Sequence, residues 1–220
     1  MFTPLLIAAV VGYLLGSLPF GYLVARAKGV NIFEVGSKNP GATNVRRVLG
    51  NGPGNLVLFL DALKGAMATF APWGYRLLAK NGGVVPEPAG LDPASYGYLA
   101  IAGMLGAIVG HSVSCFTHFK GGKGVATGAG GFLVLFPLGA GIALVIFGTT
   151  LAVTRYVSLA SMVGAASLPF AAFVFTRSPV LTAVSAVVAA FVILRHRANI
   201  GRLLAGTESR IGQKPASSKS

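Results

Sequence analysis

The stretch of this chain best suited to chemistry is residues 119–127, FKGGKGVAT, which lies between two strongly apolar segments. Its three glycines let the backbone turn tightly and approach a ligand, and Lys120 and Lys123 place cations beside the exposed amides. A helix beginning near Val125 would add the positive end of its dipole at the same place. The pattern indicates a phosphate site, and the alternative is a basic loop that binds lipid headgroups.

A second polar stretch, residues 36–47, reads GSKNPGATNVRR. Here small residues and amides precede two arginines. A guanidinium can hold a phosphate through paired donors, while Ser37 and the asparagines offer neutral hydrogen bonds. This predicts another site for a polar headgroup. The alternative is a glycine-rich turn before a helix, with Thr43 or Asn44 as the N-cap.

Two pairs of polar residues are three apart in or beside apolar segments. Asp61 and Lys64 are expected to share a helix face and neutralise each other, as a structural pair or with Lys64 directed at a substrate. His196 and Asn199, in the sequence RHRANI, are also expected to share a helix face. There the histidine would act as a base or hydrogen-bond donor, or instead anchor the chain at the membrane interface.

The composition predicts an integral membrane protein, because 54% of residues are hydrophobic and 10% are charged, with a mean hydropathy of +0.73. Soluble domains carry about 25% charged residues. The formal charge of +13 does not indicate nucleic acid, because the basic residues flank apolar segments, as the positive-inside rule expects. Cys115 is the single cysteine, and the five acids are scattered, so we expect no disulfide, no metal site and no cofactor.

The apolar segments cover about residues 4–25, 55–78, 96–116, 125–152, 157–176 and 179–194. One helix over 125–152 would be about 42 Å long against a hydrocarbon core of about 30 Å. Pro137, Gly139 and Gly141 therefore predict two short helices of about 13 residues each. We predict an all-α membrane protein of seven transmembrane helices, with the N-terminus outside and the C-terminus cytoplasmic, because this places most basic clusters on one side. Residues 81–93 would face outward, residues 1–212 would form one domain, and residues 213–220 would be a disordered tail.

Two common phosphate and acyl-transfer signatures are absent from the sequence. Lys123 is followed by glycine rather than Ser or Thr, which excludes a Walker loop. Neither His111 nor His118 is followed by an aspartate five residues later, the spacing common in acyltransferases that use coenzyme A thioesters.

Together, residues 36–47, 119–127 and 195–200 resemble the three cytoplasmic motifs of the bacterial acyl-phosphate-dependent glycerol-3-phosphate acyltransferases. Residues 61–65 (DALKG) and 155–161 (RYVSLAS) resemble that family as well. Lys38 departs from the pattern, because the family usually has glycine there. The resemblance implies a multi-pass enzyme of the bacterial inner membrane whose site faces the cytoplasm. Such an enzyme transfers a fatty acyl group from acyl phosphate to the 1-hydroxyl of sn-glycerol 3-phosphate, giving lysophosphatidic acid and phosphate without metal or coenzyme A.

The resemblance also implies the site residues. The catalytic residues would be Ser37, Arg47, Lys123, Ser161, His196 and Asn199. The substrate-binding residues would be Asn39, Gly41, Asn44, Lys64, His111, Lys120, Gly121, Gly122, Gly124 and Arg155. The proton of the attacking hydroxyl would pass to the substrate's own phosphate or to His196. A transporter of phosphorylated anions is the alternative function, although motifs in loops on one side favour an enzyme.

Overall fold

The computed structural model describes residues 1–80 and 91–212. Most of the predicted outward connection, and the whole predicted tail, lie outside the described residues. All regular elements of the described part are helices, which confirms the all-α prediction. The helices are α1 (Phe2–Ser17), α2 (Phe20–Arg26), α3 (Ala42–Leu49), α4 (Asn51–Lys80), α5 (Ser95–Ser112), a 3₁₀ turn (Cys115–Thr117), α6 (Val125–Leu135), α7 (Pro137–Thr154), α8 (Val157–Thr176), α9 (Pro179–Arg195) and α10 (Arg197–Leu204).

Several helices are long and apolar enough to cross a bilayer, so the chain is a multi-pass membrane protein. The five clear spans are Phe2–Arg26, Asn51–Lys80, Ser95–Thr117, Pro137–Thr154 and Val157–Thr176. Helices α9 and α10, bent by 59°, make a sixth if they are taken as one span, and α6 is a shorter apolar helix. The count of seven and the orientation stay predictions.

The predicted break at Pro137 is confirmed. The prediction of two helices of about 13 residues each is wrong. Helix α6 has 11 residues and α7 has 18. Proline suits the first position of a helix, because its missing amide hydrogen would have no partner there. Of these two helices, α6 is therefore the one too short to span the hydrocarbon core by itself.

The first apolar segment is not the continuous helix that its hydropathy predicts, because it breaks between α1 and α2 at Leu18 and Pro19. The proline ring disfavours helical geometry in the residue before it, and Leu18 is extended, with a ψ of 116°. Two backbone carbonyls freed by the break find side-chain donors. The Oγ of Ser114 donates to the carbonyl of Ser17 at 2.5 Å, and the Nζ of Lys64 donates to that of Leu18 at 2.8 Å.

The polar segment after α2 is anchored rather than loose. Val45 of α3 is fully buried in a small apolar cluster with Ala25, Ile32 and Val57, which come from α2, the following turn and α4. Burying such side chains contributes about 1.5–3 kcal/mol each for the larger ones. The cluster therefore holds residues 36–47 against the membrane helices.

The chain divides into two compact units, Met1–Ala140 and Gly141–Ser220. In the first unit, α5 packs on α1 and α4, and α4 also packs on α6. A Cβ atom at Gly12 or Gly16 of α1 would overlap the backbone of Gly103 or Ala107 of α5, so these helices approach as closely as small residues allow. In the second unit, α8 packs along α9. A single domain over residues 1–212 stays a prediction.

Candidate functional site

The first polar motif is folded by Asn44, which is buried in the first turn of α3. Gly41 is the N-cap of α3 and no side chain caps it, so the expected cap at Thr43 or Asn44 is wrong. The Asn44 amide instead reaches back along the chain. Its Oδ1 accepts from the amide of Ser37 at 2.8 Å, and its Nδ2 donates to the carbonyl of Val35 at 3.1 Å. Asn44 thereby fixes the backbone that presents Ser37.

Asn39 connects the first two motifs within the first unit. Its Oδ1 accepts from the amide of Gly41 at 2.9 Å, and its Nδ2 donates to the carbonyl of Gly121 at 3.4 Å. Arg47 is exposed on α3, which follows this turn. The structure therefore connects residues 36–47 to the glycine loop through Asn39.

Four of the five non-glycine residues with left-handed backbone geometry in the described ranges lie in or beside the predicted motifs, and the fifth is Arg177. Lys38 has a φ of +55°, His118 and Phe119 have +51° and +59°, and Arg155 has +62°. This geometry costs an L-residue roughly 1–2 kcal/mol, and glycine avoids the penalty. Lys38 stands where the family usually has glycine, so the lysine keeps a glycine-like conformation at an energetic cost.

The glycine loop leads into α6, and the prediction that a helix begins at Val125 is confirmed. Gly124 precedes it with a φ of +79°, which glycine adopts without strain. The amide of Gly122 donates to the carbonyl of His111 at 2.9 Å. A Cβ atom on Gly121 would overlap the backbone at His111, and one on Gly122 would overlap the His111 ring. The loop is glycine-rich because it lies directly on α5.

Beneath the loop, a cluster of three ionisable side chains is almost fully buried. Lys64 Nζ lies 2.9 Å from Oδ1 of Asp61, so the predicted pair is confirmed. The Nδ1 atom of His111 lies 3.4 Å from the same oxygen. Asp61, Lys64 and His111 are 2%, 3% and 9% exposed. The predicted binding residues include Lys64 and His111 but not Asp61. The spacing of Asp61, three residues before Lys64, could have indicated that it belongs to the same site.

These side chains line a small pocket whose wall also includes Leu18 and Pro19, at the break between α1 and α2. Its polar lining includes Ser17, Asp61, Lys64, His111, Lys120 and the backbone of Gly121. Four predicted substrate-binding residues therefore meet at one pocket. The Oγ atom of Ser17 is buried there and has no hydrogen-bond partner among the residues that the structure describes.

In the second unit, Glu208 gathers three donors from α8 and α10. Its carboxylate accepts hydrogen bonds from Oγ of Ser158 at 2.7 Å, Nδ2 of Asn199 at 2.6 Å and Nε of Arg202 at 2.7 Å. Burial raises the pKa of the Glu208 carboxyl, but the three hydrogen bonds and the Arg202 charge together hold that pKa below its ordinary value. Glu208 is not among the residues that the sequence motifs predicted. Its position could have indicated a role, because Glu208 is the only acidic residue that follows Asp92 in the sequence.

The helix expected to carry both His196 and Asn199 is not continuous. It ends at Arg195 and resumes at Arg197 after a bend of 59°, with His196 at the junction. Both predicted residues are nonetheless buried, and the amide of Asn199 donates to the carbonyl of His196 at 2.8 Å. The Nδ1 atom of His196 lies 2.7 Å from the carbonyl of Val192. With Nδ1–H donating to this carbonyl, Nε2 is the acceptor nitrogen of the neutral ring.

The remaining predicted residues of the second unit have clear local partners. Ser161 is buried in α8, where its Oγ donates to the carbonyl of Val157 at 2.8 Å. Arg155 is exposed, and its Nε and Nη2 donate to the carbonyl of Ile211 at 3.1 and 2.7 Å. The Ile211 amide returns a hydrogen bond to the carbonyl of Arg155 at 2.9 Å. In this structure Arg155 holds the segment that follows α10.

The predicted residues thus form two groups, each described within its own unit. The first unit holds Ser37, Asn39, Gly41, Asn44, Arg47, Lys64, His111, Lys120, Gly121, Gly122, Lys123 and Gly124. The second holds Arg155, Ser161, His196 and Asn199.

Comparisons with known proteins identify the family. A family model described as glycerol-3-phosphate acyltransferase matches residues 6–206. Proteins named glycerol-3-phosphate acyltransferase from Desulforamulus reducens and Thermosynechococcus vestitus are 43% and 46% identical to this chain. The first alignment covers 92% of each chain and the second covers 93% of each. A crystal structure of PlsY (YgiH), an integral membrane glycerol 3-phosphate acyltransferase in its glycerol 3-phosphate form, matches with a TM-score of 0.80 and 36% identity, over 94% of this chain and 96% of that one. Its lysophosphatidic acid form matches with a TM-score of 0.77. The match runs through all three sequence motifs, and the chain belongs to the glycerol-3-phosphate acyltransferase family.

Proposed function

We propose that this protein transfers a fatty acyl group from acyl phosphate to the sn-1 hydroxyl of glycerol 3-phosphate, forming lysophosphatidic acid and phosphate. Its family and the glycerol 3-phosphate form of its structural relative support the acceptor. The observation that carries the proposal is the cationic glycine loop, which lies on the buried Asp61–Lys64–His111 cluster beside a pocket that these charged groups help to line. Such an arrangement suits a small phosphorylated acceptor at the surface of a membrane that supplies the acyl chain.

The first unit would bind the substrate phosphates. The amides and lysines of residues 120–124 would hold glycerol 3-phosphate, with the N-terminus of α6 adding its positive dipole end. Arg47 and Lys123 would neutralise phosphate charge, because a guanidinium or ammonium close to phosphate forms strong charge-assisted hydrogen bonds. Ser37, held by Asn44, would add a neutral hydrogen bond.

The reaction needs only one proton transfer. The acceptor hydroxyl oxygen attacks the carbonyl carbon of acyl phosphate, the new ester bond forms, and the bond to the phosphate oxygen breaks with its electrons leaving on phosphate. The hydroxyl proton passes to a substrate phosphate or to Nε2 of His196. The hydrogen bond between Nδ1 and Val192 supports the second route, because it orients the ring with Nε2 as acceptor. Cationic groups that hold the leaving phosphate lower the barrier by electrostatic stabilisation.

We place the protein in the bacterial inner membrane, with its site on the cytoplasmic face. The supporting observation is the distribution of basic residues along the sequence. The proposed count of seven spans takes α9 with α10 as one span and the short helix α6 as another.

The activity is tested with purified protein, palmitoyl phosphate and glycerol 3-phosphate, in a buffer with a metal chelator. We expect phosphate release and formation of lysophosphatidic acid at equal rates. Turnover with palmitoyl-coenzyme A but not with palmitoyl phosphate would overturn the proposed donor. Uptake of labelled glycerol 3-phosphate into sealed vesicles without an acyl donor would instead favour a transporter.

The proton acceptor is tested by a pH–rate profile of His196→Ala beside the unsubstituted enzyme. If His196 is the base, the rate of the unsubstituted enzyme falls at low pH as the imidazole becomes protonated, and the variant loses that limb along with most of its kcat. An acid limb that persists unchanged in the variant would assign the proton to a substrate phosphate.

A further inference from the structure

Asp61 is a buried charged residue of the first unit that the proposed reaction does not use. It lies in α4 and is 2% exposed. A single carboxylate oxygen, Oδ1, faces both Nζ of Lys64 at 2.9 Å and Nδ1 of His111 at 3.4 Å. A carboxylate buried in a membrane helix is costly, and it persists where it has a partner or a function.

The first consequence concerns the histidine ring. A carboxylate beside Nδ1 favours the tautomer that carries its hydrogen there, as in other sites where the second partner of a histidine sets its tautomer. The opposite nitrogen, Nε2, faces the glycine loop, because a Cβ atom built on Gly122 would overlap it. The backbone of His111 also holds the loop, since its carbonyl accepts from the amide of Gly122 at 2.9 Å.

The second consequence concerns Lys64, which also lines the pocket. Asp61 holds the Lys64 ammonium where it also donates to the carbonyl of Leu18 at 2.8 Å. That carbonyl is free because the first span breaks there. The ammonium also lies 5.6 Å from the ring centroid of Phe20, the first residue of α2. One carboxylate therefore fixes a lysine on the break and a histidine under the glycine loop.

We propose that Asp61 is a positioning residue for the acceptor site: it sets the tautomer and orientation of His111, and through that ring the conformation of the glycine loop that binds glycerol 3-phosphate. The proposal rests on the proposed function for its kinetic consequence. Asp61 itself touches no reacting atom. Its effect should appear in the affinity for the acceptor, and the acyl donor should be affected less.

A purely structural ion pair would behave differently from a positioning residue. Removing its charge would lower the melting temperature, but it would leave the histidine tautomer and the ratio of the two substrate KM values unchanged. The tautomer is measurable here because the chain has only three histidines, at positions 111, 118 and 196.

The test uses Asp61→Asn, which is nearly isosteric and removes the charge. ¹⁵N-histidine NMR of the full chain in lipid nanodiscs reports the tautomer, with His118→Asn and His111→Asn assigning the signals. We expect the His111 signals to leave the Nδ1–H pattern, the KM for glycerol 3-phosphate to rise at least 5-fold, and the KM for acyl phosphate to change less than 2-fold. Thr69→Val is the matched control, because Thr69 is buried in the same helix and its Oγ1 donates to the carbonyl of Gly65, one turn earlier in that helix.

Unchanged His111 signals together with an unchanged KM for glycerol 3-phosphate would overturn the proposal. If Asp61→Asn does not fold, the unsubstituted protein keeps the test, because its His111 should show the Nδ1–H pattern beside Asp61 and an Nε2–H pattern would overturn the proposal. The two failures are distinct. An unsubstituted enzyme without turnover would refute the proposed function, whereas the NMR measurement tests the contact between Asp61 and His111 without any turnover.

Discussion

Replacing Gly122 with alanine tests whether the glycine loop binds glycerol 3-phosphate. The added Cβ atom would overlap the ring of His111, which is buried and held by Asp61. The loop would have to move away from α5, and the hydrogen bond from the Gly122 amide to the His111 carbonyl, 2.9 Å long, would be stretched or lost.

The size of the effect follows from these two contacts. A lost backbone hydrogen bond costs about 0.5–1.5 kcal/mol. Forcing a methyl group into a packed site costs about 1–3 kcal/mol. Because the loop can shift and relieve part of the overlap, we take about 2 kcal/mol, near the low end of the combined cost, and this corresponds to about a 30-fold weaker affinity.

We therefore expect Gly122→Ala to raise the KM for glycerol 3-phosphate about 30-fold, with a smaller change in kcat, in steady-state assays of phosphate release. Gly52→Ala is the matched control, because a Cβ atom at that helical position meets open space, and its KM should equal that of the unsubstituted enzyme. A folded Gly122→Ala protein with an unchanged KM, or with a loss confined to kcat, would refute the proposed binding role of the loop.

Two further predictions concern stability, measured as the melting temperature in detergent. Glu208→Gln replaces a charged acceptor of three hydrogen bonds, so we expect a loss of about 2 kcal/mol and a Tm lower by about 4–8 °C; a Tm within 1 °C would contradict this. Since the folded-state pKa of Glu208 lies below its ordinary value of 4.5, its stabilisation is present at neutral pH and is lost as pH falls from 4.5 through the folded value. That part of the pH dependence should vanish in Glu208→Gln. Lys38→Gly removes left-handed strain of about 1 kcal/mol and should raise Tm by about 2–4 °C, whereas Lys38→Ala should not; equal Tm values for the two variants would show that the strain is not relieved.

Local patterns in the sequence predicted several features that the structure confirms. The helix that begins at Val125 and the break at Pro137 follow from backbone preferences of glycine and proline. The ion pair of Asp61 and Lys64 follows from the spacing of a helix turn. Each depends on residues within a few positions of one another, so the sequence carries the necessary information.

Errors arose where a local preference had more than one outcome. Asn44 is a good N-cap residue, but its amide bonds back to residues 35 and 37 instead. The RHRANI motif reads as the end of one helix, but the chain bends at His196. In the first case the side chain bonds to backbone groups seven and nine residues earlier, an outcome that N-cap preference alone does not predict.

The sequence by itself determined the class of protein, its apolar segments and the motifs that identify its family. The tertiary structure decided which polar groups meet. His111 lies 50 residues beyond Asp61, and Glu208 lies 50 residues beyond Ser158, yet each pair is in contact. Spacing along the chain cannot encode such contacts, because they depend on how buried helices pack and on the need of every buried charge for a partner.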